Sequence, residues 1–232
     1  MSASRPPSTL AATSAVLAKE LRLERRAPQT LTAMALFSAT AIVIFHFALG
    51  RDEVSGALAS GVLWVTLTLA ALLGIGRVFV ADSEEGGLDG FLLAPVERSA
   101  LLIAKALSLL IFLIGVGALT SLIFAVLLLG PTPSVTQWGS LAIVIVLADI
   151  GIALVGTLVA AIAIQTRTRD LITSILALPL LIPVLIGATR ACEPLLSVGG
   201  GGLATRWLMM LGLYDLVFGL LAYALFDYLI ED

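Results

Sequence analysis

Six stretches of this sequence are each long and apolar enough to cross a lipid bilayer, and they leave room for little else. A spanning helix needs about 20 mostly apolar residues. The stretches run Leu31–Leu49, Ala57–Ala81, Ala100–Leu129, Trp138–Gln165, Leu171–Ala188 and Thr205–Ile230. Within them the apolar residues follow one another instead of alternating, and backbone facing lipid has to satisfy its own hydrogen bonds, so helices are expected and strands are not. Only 12% of the 232 residues are charged, about half the roughly 25% of an ordinary soluble domain. The expected fold is therefore an all-α integral membrane protein with six transmembrane helices, forming one membrane domain over residues 1–232.

Lysine and arginine give the orientation. With the N-terminus inside, ten of them fall on the inner side (Arg5, Lys19, Arg22, Arg25, Arg26, Arg77, Arg98, Lys105, Arg167, Arg169) and three outside (Arg51, Arg190, Arg206). Both termini are expected in the cytoplasm. Trp138 and Trp207 then stand where the chain enters from outside, as an aromatic belt requires. The N-terminal residues show no compact apolar run with a small-residue cleavage site, so no removable signal peptide is expected. A net charge of −3 with dispersed basic residues gives no footprint for nucleic acid.

The loops are short, but three stretches are more than connectors. Residues 10–26 set Leu10, Ser14, Leu17 and Leu21 on one helical stripe, with Lys19, Arg22 and Arg26 elsewhere on the circumference. That pattern suits an amphipathic helix lying in the inner interface, its basic side toward anionic lipid, and ended by Pro28. Residues 189–204, with Pro194 and the run Gly199–Gly202, form an outer loop too long for a tight turn.

The third stretch, 82–99, reads DSEEGGLDGFLLAPVERS. Asp82 can cap a helix, with Glu85 reaching back three residues later. Leu88, Phe91 and Leu92 share one face at i, i+3, i+4, and Pro95 stops the helix. Gly86, Gly87 and Gly90 each weaken it by roughly 1 kcal/mol relative to alanine, so an outside contact is needed to hold its shape. Two readings stand: an interfacial helix with its leucines among lipids, or a docking peg whose apolar residues fill a partner's groove while Glu84, Glu85 and Asp89 meet basic residues at the rim. An acidic helix gains nothing from an anionic leaflet, which favours the protein partner.

These residues carry a family resemblance. The acidic pair followed by G-x-L-x-x-x-L-L-x-P, the stretches LAKELRLERRAP (17–28) and SGVLWVTLTLAALLGIGRVFVADSEEGGLDGFLLAPVERSALLIAKAL (60–107), and the order of six spans make nearly the whole chain similar to the heme exporter B (CcmB) family, permease subunits of the cytochrome c maturation system. The resemblance implies an ABC-2 or type V exporter-like permease, two copies of which sit on two copies of a separate ATPase subunit, CcmA. Residues 82–99 would then be the coupling helix, with Glu84, Glu85, Leu88, Asp89, Phe91, Leu92 and Pro95 at the ATPase interface. It further implies the heme-handling membrane protein CcmC with CcmD, the heme chaperone CcmE, and the bacterial cytoplasmic (inner) membrane. The complex would handle heme and its ATPase would hold ATP, with no cofactor bound by this chain. An exporter of another lipid-like substrate and a static scaffold for heme-protein assembly are the competing readings.

The chain lacks the groups for chemistry of its own. A nucleotide-binding P-loop needs Gly-Lys-Ser/Thr, and both lysines, Lys19 and Lys105, follow alanine. Covalent heme attachment by C-x-x-C-H is excluded by a single cysteine, Cys192, which is expected as an inert thiol outside the membrane. A permease subunit, not an enzyme, is expected. Within the spans, Asp149 lies eleven residues past Trp138 and Asp215 eight past Trp207, about 16 and 12 Å below the outer belt. An aspartate at mid-membrane costs roughly 2.5–3.5 kcal/mol on insertion scales, so both are expected to face protein or a watery cavity. They are candidates for a shared polar seam between spans four and six or across a dimer, either as a structural pair or in a pathway. His46 is either a heme ligand or an amphipathic interface residue. Arg77 and Lys105 are expected to snorkel to the inner surface, and Pro179 and Pro183 to kink span five.

Overall fold

The computed structural model describes residues 8–51, 53–79, 98–130, 133–163 and 169–229. They form seven α-helices: α1 (Thr9–Arg26), α2 (Thr30–Ala48), α3 (Gly56–Ile75), α4 (Arg98–Leu127), α5 (Val135–Ala163), α6 (Arg169–Cys192) and α7 (Thr205–Leu229). Among the described residues the only β-type pairing is an isolated parallel bridge between Val54 and Leu129. Helices α2 to α7 are long and apolar enough to cross a membrane, and they fall where spans one to six are expected. The chain is a multi-pass membrane protein. Successive spans alternate in direction, so α1, the end of α3 and the starts of α4 and α6 share a near end. The α2–α3, α4–α5 and α6–α7 connections share the far end.

Two boundaries shift, and Arg98 and Ser99 already belong to α4. Span two leaves the helix at Ile75 instead of Ala81. Gly76 donates back to Leu72, and Arg77 and Val78 then close tighter turns onto Gly74 and Ile75. Span five continues to Cys192 instead of stopping at Ala188, and Pro194 follows just beyond the helix end, where proline is common. Residues 80–97, which hold most of the expected coupling helix and all of Glu84, Glu85, Leu88, Asp89, Phe91, Leu92 and Pro95, lie outside the described residues.

Helices α3 and α5 are enclosed around most of their circumference, α2 and α7 around little of theirs. A helix apolar all round is one that neighbours surround, and α5 packs against α4, α6 and α7. The exposed faces of α2 (Leu36, Phe37, Ile44, Phe47) and α7 (Leu213, Leu216, Val217, Leu220) are also apolar, as a lipid-facing surface requires.

Helices in lipid gain nothing from hiding apolar surface from water, so close backbone approach at small residues has to hold them together. Glycine supplies it here. A methyl group on Gly156 of α5 would stand 2.5 Å from Ile75 Cγ1 of α3, one on Gly74 2.8 Å from Met34 Sδ of α2, and one on Gly187 of α6 3.1 Å from Leu211 of α7.

At the far end the connections lock onto one another. Val54 N–H donates to Leu128 and Gly56 N–H to Leu196, both at 2.8 Å. Leu195 and Leu196 are buried, and Ser60 Oγ donates to Thr189 at 2.6 Å. A cavity of about 190 Å³ opens between Val54, Pro133, Gln137 and residues 195–200.

The α3–α5 contact gives a direct check. Gly156→Val puts a branched side chain into Ile75, and overpacking of this kind costs about 1–3 kcal/mol. The detergent-solubilised variant is expected to unfold at a lower temperature than the parent chain, measured by differential scanning fluorimetry.

Candidate functional site

Helix α1 lies against α4. Leu10 is 83% exposed and Ser14 is exposed, whereas Ala12 and Thr13 are buried. Val16 packs against the core. The contact also has an electrostatic part. Lys105, seven residues into α4, is 1% exposed, and its ammonium lies 2.9 Å from Glu20 Oε1 of α1. The expectation that Lys105 snorkels to the surface is therefore corrected: α1 covers it and brings the counter-charge. Arg77 is exposed.

The same ammonium sits 5.5 Å from the centroid of Phe79, close enough for a cation–π contact. Thr13, whose hydroxyl donates to Thr9 at 2.8 Å, comes within 3.5 Å of the Ala100 carbonyl. One turn further along the same face of α1, Glu24 Oε1 accepts from Leu31 N–H at 2.7 Å. A carboxylate there satisfies one of the unpaired donors at the α2 N-terminus and meets the positive end of its dipole. Helix α1 thus touches the first turn of α2 and the first turns of α4, and through Lys105 it reaches the end of α3.

The two intramembrane aspartates are both buried, Asp149 on α5 and Asp215 on α7. Asp215 lies on the α5–α7 interface, where a methyl on Gly151 would meet its Oδ1 at 2.6 Å. Asp149 faces α4, its Oδ2 at 3.7 Å from the same test position on Gly117. Asp149 and Gly151 are two residues apart and so about 200° apart around α5. The structure therefore sets the two carboxyls on different sides of α5. Among the described residues Asp149 Oδ2 and both Asp215 oxygens have no hydrogen-bond partner. Thr120 Oγ1 and Ser121 Oγ, one turn along α4 from Gly117, are buried and unpartnered in the same way.

The remaining residues take structural places. Cys192 is not outside the membrane domain: it is fully buried in the last turn of α6, its Sγ accepting from Trp64 Nε1 at 3.2 Å. Pro179 and Pro183 lie inside α6, and Tyr214 of α7 donates to the Leu180 carbonyl between them at 2.6 Å. Neighbouring side chains commonly re-satisfy backbone near a proline in this way. His46 meets Phe47 edge-on at 5.2 Å. Trp138 and Trp207 both stand in the first turns of far-end helices, and Arg206 lies 5.8 Å from the Trp207 ring.

The Glu20–Lys105 and Glu24–Leu31 contacts were not read from the sequence. Their signal was available: a lysine inside an apolar span, and two acids on an otherwise basic helix.

Six lipid-length helices, with a short helix clamped across one end of them, define a polytopic membrane protein of the helical-bundle kind. The family model described as "CcmB protein" matches residues 11–226, and the chain belongs to that family. It is similar to proteins named heme exporter protein B. That of Rhodobacter capsulatus is 34% identical over 173 residues, 74% of this chain and 78% of the relative. That of Pseudomonas aeruginosa is 32% identical over 181 residues, covering 78% and 80%, and that of Bradyrhizobium diazoefficiens is 30% identical over 185 residues, covering 79% and 82%.

The α6–α7 contact and the Asp215 environment predict opposite effects. Tyr214→Phe loses a hydrogen bond worth about 1 kcal/mol, and its unfolding midpoint is expected to fall. Asp215→Asn replaces a buried ionisable carboxyl that has no partner among the described residues, and its midpoint is expected to equal or exceed that of the parent chain. Thermal unfolding of the two variants side by side checks both.

Proposed function

We propose that this chain is the membrane permease subunit of an ABC-type complex that exports or delivers heme for c-type cytochrome biogenesis. It would couple ATP hydrolysis by a separate ATPase subunit, CcmA, to heme delivery or to release of a heme-loaded chaperone. The observation that carries the reading is the match to heme exporter B proteins over about three-quarters of both chains, together with six apolar helices long enough to span.

In this reading the chain sits as a homodimer in the bacterial inner membrane with both termini cytoplasmic, as its lysine and arginine bias favours. Its partners are CcmA, CcmC with CcmD, and CcmE. Glu84, Glu85, Leu88, Asp89, Phe91, Leu92 and Pro95 contact the ATPase. Asp149 and Asp215 are polar points in the moving bundle, and their unpartnered oxygens leave them able to change neighbours as helices shift. Heme is cargo of the complex, and this chain holds no cofactor and performs no catalysis.

Conformational work on the heme-handling partner is favoured over conduction of heme through this subunit. A heme carries two propionates, and among the described residues the buried cation is Lys105, already 2.9 Å from Glu20. The far-end cavity, at about 190 Å³, is smaller than the roughly 300–1,000 Å³ of small-molecule sites.

Purification of the tagged chain from membranes tests the function. Recovery of an ATPase together with a tryptophan-rich heme-binding membrane protein is the expected result. An ATPase alone would favour an exporter of another lipid-like substrate, and no ATPase would favour a static scaffold. Leu88→Asp combined with Phe91→Asp is expected to reduce ATPase recovery at least tenfold and to stop c-type cytochrome production while the chain still inserts. Undiminished recovery would overturn the assignment of that segment.

A further inference from the structure

We propose that the Glu20–Lys105 pair is a positioning contact for energy coupling, making α1 a moving part of the coupling apparatus and not simply a membrane anchor. The inference rests on the reading of the chain as an ATP-coupled permease and adds a role for α1 within it. Residues 80–97 leave the described chain at Phe79 and rejoin it at Arg98. Lys105 lies over Phe79 on one side of that departure, and Thr13 of α1 meets the Ala100 carbonyl at 3.5 Å on the other. Any displacement of either root is passed to α1 through the ion pair, and from α1 to α2 through Glu24 and the Leu31 N–H.

The chemistry of the pair separates this role from anchoring. A helix held by lipid alone needs no charged partner within the protein, whereas α1 turns its two acids toward protein groups. A buried ion pair is also a poor device for stability alone, since well-packed apolar residues of similar volume commonly do as well or better. Its advantage is register: opposite charges hold one alignment of two helices and penalise the others. Lys19 also reaches Glu20 Oε1, at 3.8 Å, and Arg22, Arg25 and Arg26 are exposed on α1.

The test uses the full chain, alone and with its co-purifying ATPase. A Thr13→Cys, Ala100→Cys pair reports docking of α1 by cross-linking; native Cys192 is buried at the far end. Lys105→Met is expected to lower that cross-link at least fivefold. In the complex it is expected to raise ATP hydrolysed per heme delivered about tenfold, with the amount of assembled complex unchanged. The charge swap Glu20→Lys with Lys105→Glu is expected to restore both readouts to within about twofold of the parent. An unaltered cross-link in Lys105→Met, an unaltered coupling ratio, or a swap no better than the single variant would overturn the inference. The cross-link needs no ATPase, so failure of the parent chain to bind one would sink the proposed function and still leave docking of α1 decided.

Discussion

A charged group inside an apolar body has to bring its counter-charge with it, and the near end of this protein is arranged around that requirement. Lys105 stands where water does not reach, and a lone ammonium there would cost several kcal/mol. Glu20 meets it from α1. The same helix buries Ala12 and Thr13 and leaves Leu10 turned outward. Glu24, one turn further on, uses the same helix face to complete the start of α2. Two acids therefore tie a surface helix to two spans, α4 through Lys105 and α2 through Leu31.

Elsewhere in the bundle the organising principle is shape. Gly74, Gly156 and Gly187 open grooves at the contacts among α2, α3, α5, α6 and α7, and the larger side chains opposite them (Met34, Ile75, Leu211) fill those grooves. Polar groups at these interfaces are sparse and short-ranged: Trp64 to Cys192, Tyr214 to Leu180, Ser60 to Thr189. The bundle is thus stiff where glycines sit and pinned where these hydrogen bonds cross. Asp149, Asp215, Thr120 and Ser121 are the exceptions, polar atoms that the described bundle leaves unengaged.

The spans were legible because hydrophobic length is a one-dimensional property. Each of the six appears within a few residues of its expected place, and the largest displacement, at Ile75, arises where Gly74 and Gly76 end the helix before the apolar run ends. What the sequence hid was partnership. The spacing of Leu10, Ser14, Leu17 and Leu21 describes a stripe but not the neighbour of the opposite face, and Lys105 is buried and paired where snorkelling was expected. Asp149 and Asp215 have similar depth in the sequence, yet depth does not determine azimuth, and the two face different sides of α5. Cys192 looked like a loop residue because Arg190 and Glu193 flank it; the helix runs on beneath them to reach Trp64.

The union of α1 with α4 also bears on how the protein is made. On the ribosome α1 is complete long before Lys105 has been synthesised, so during early insertion Glu20 has no ammonium to meet and α1 waits at the bilayer surface. Lys105 in turn enters the translocon within an otherwise greasy segment whose near-end boundary stays unsettled until its counter-ion arrives. Closure of that contact has to wait for the third span, after α2 and α3 have already been made.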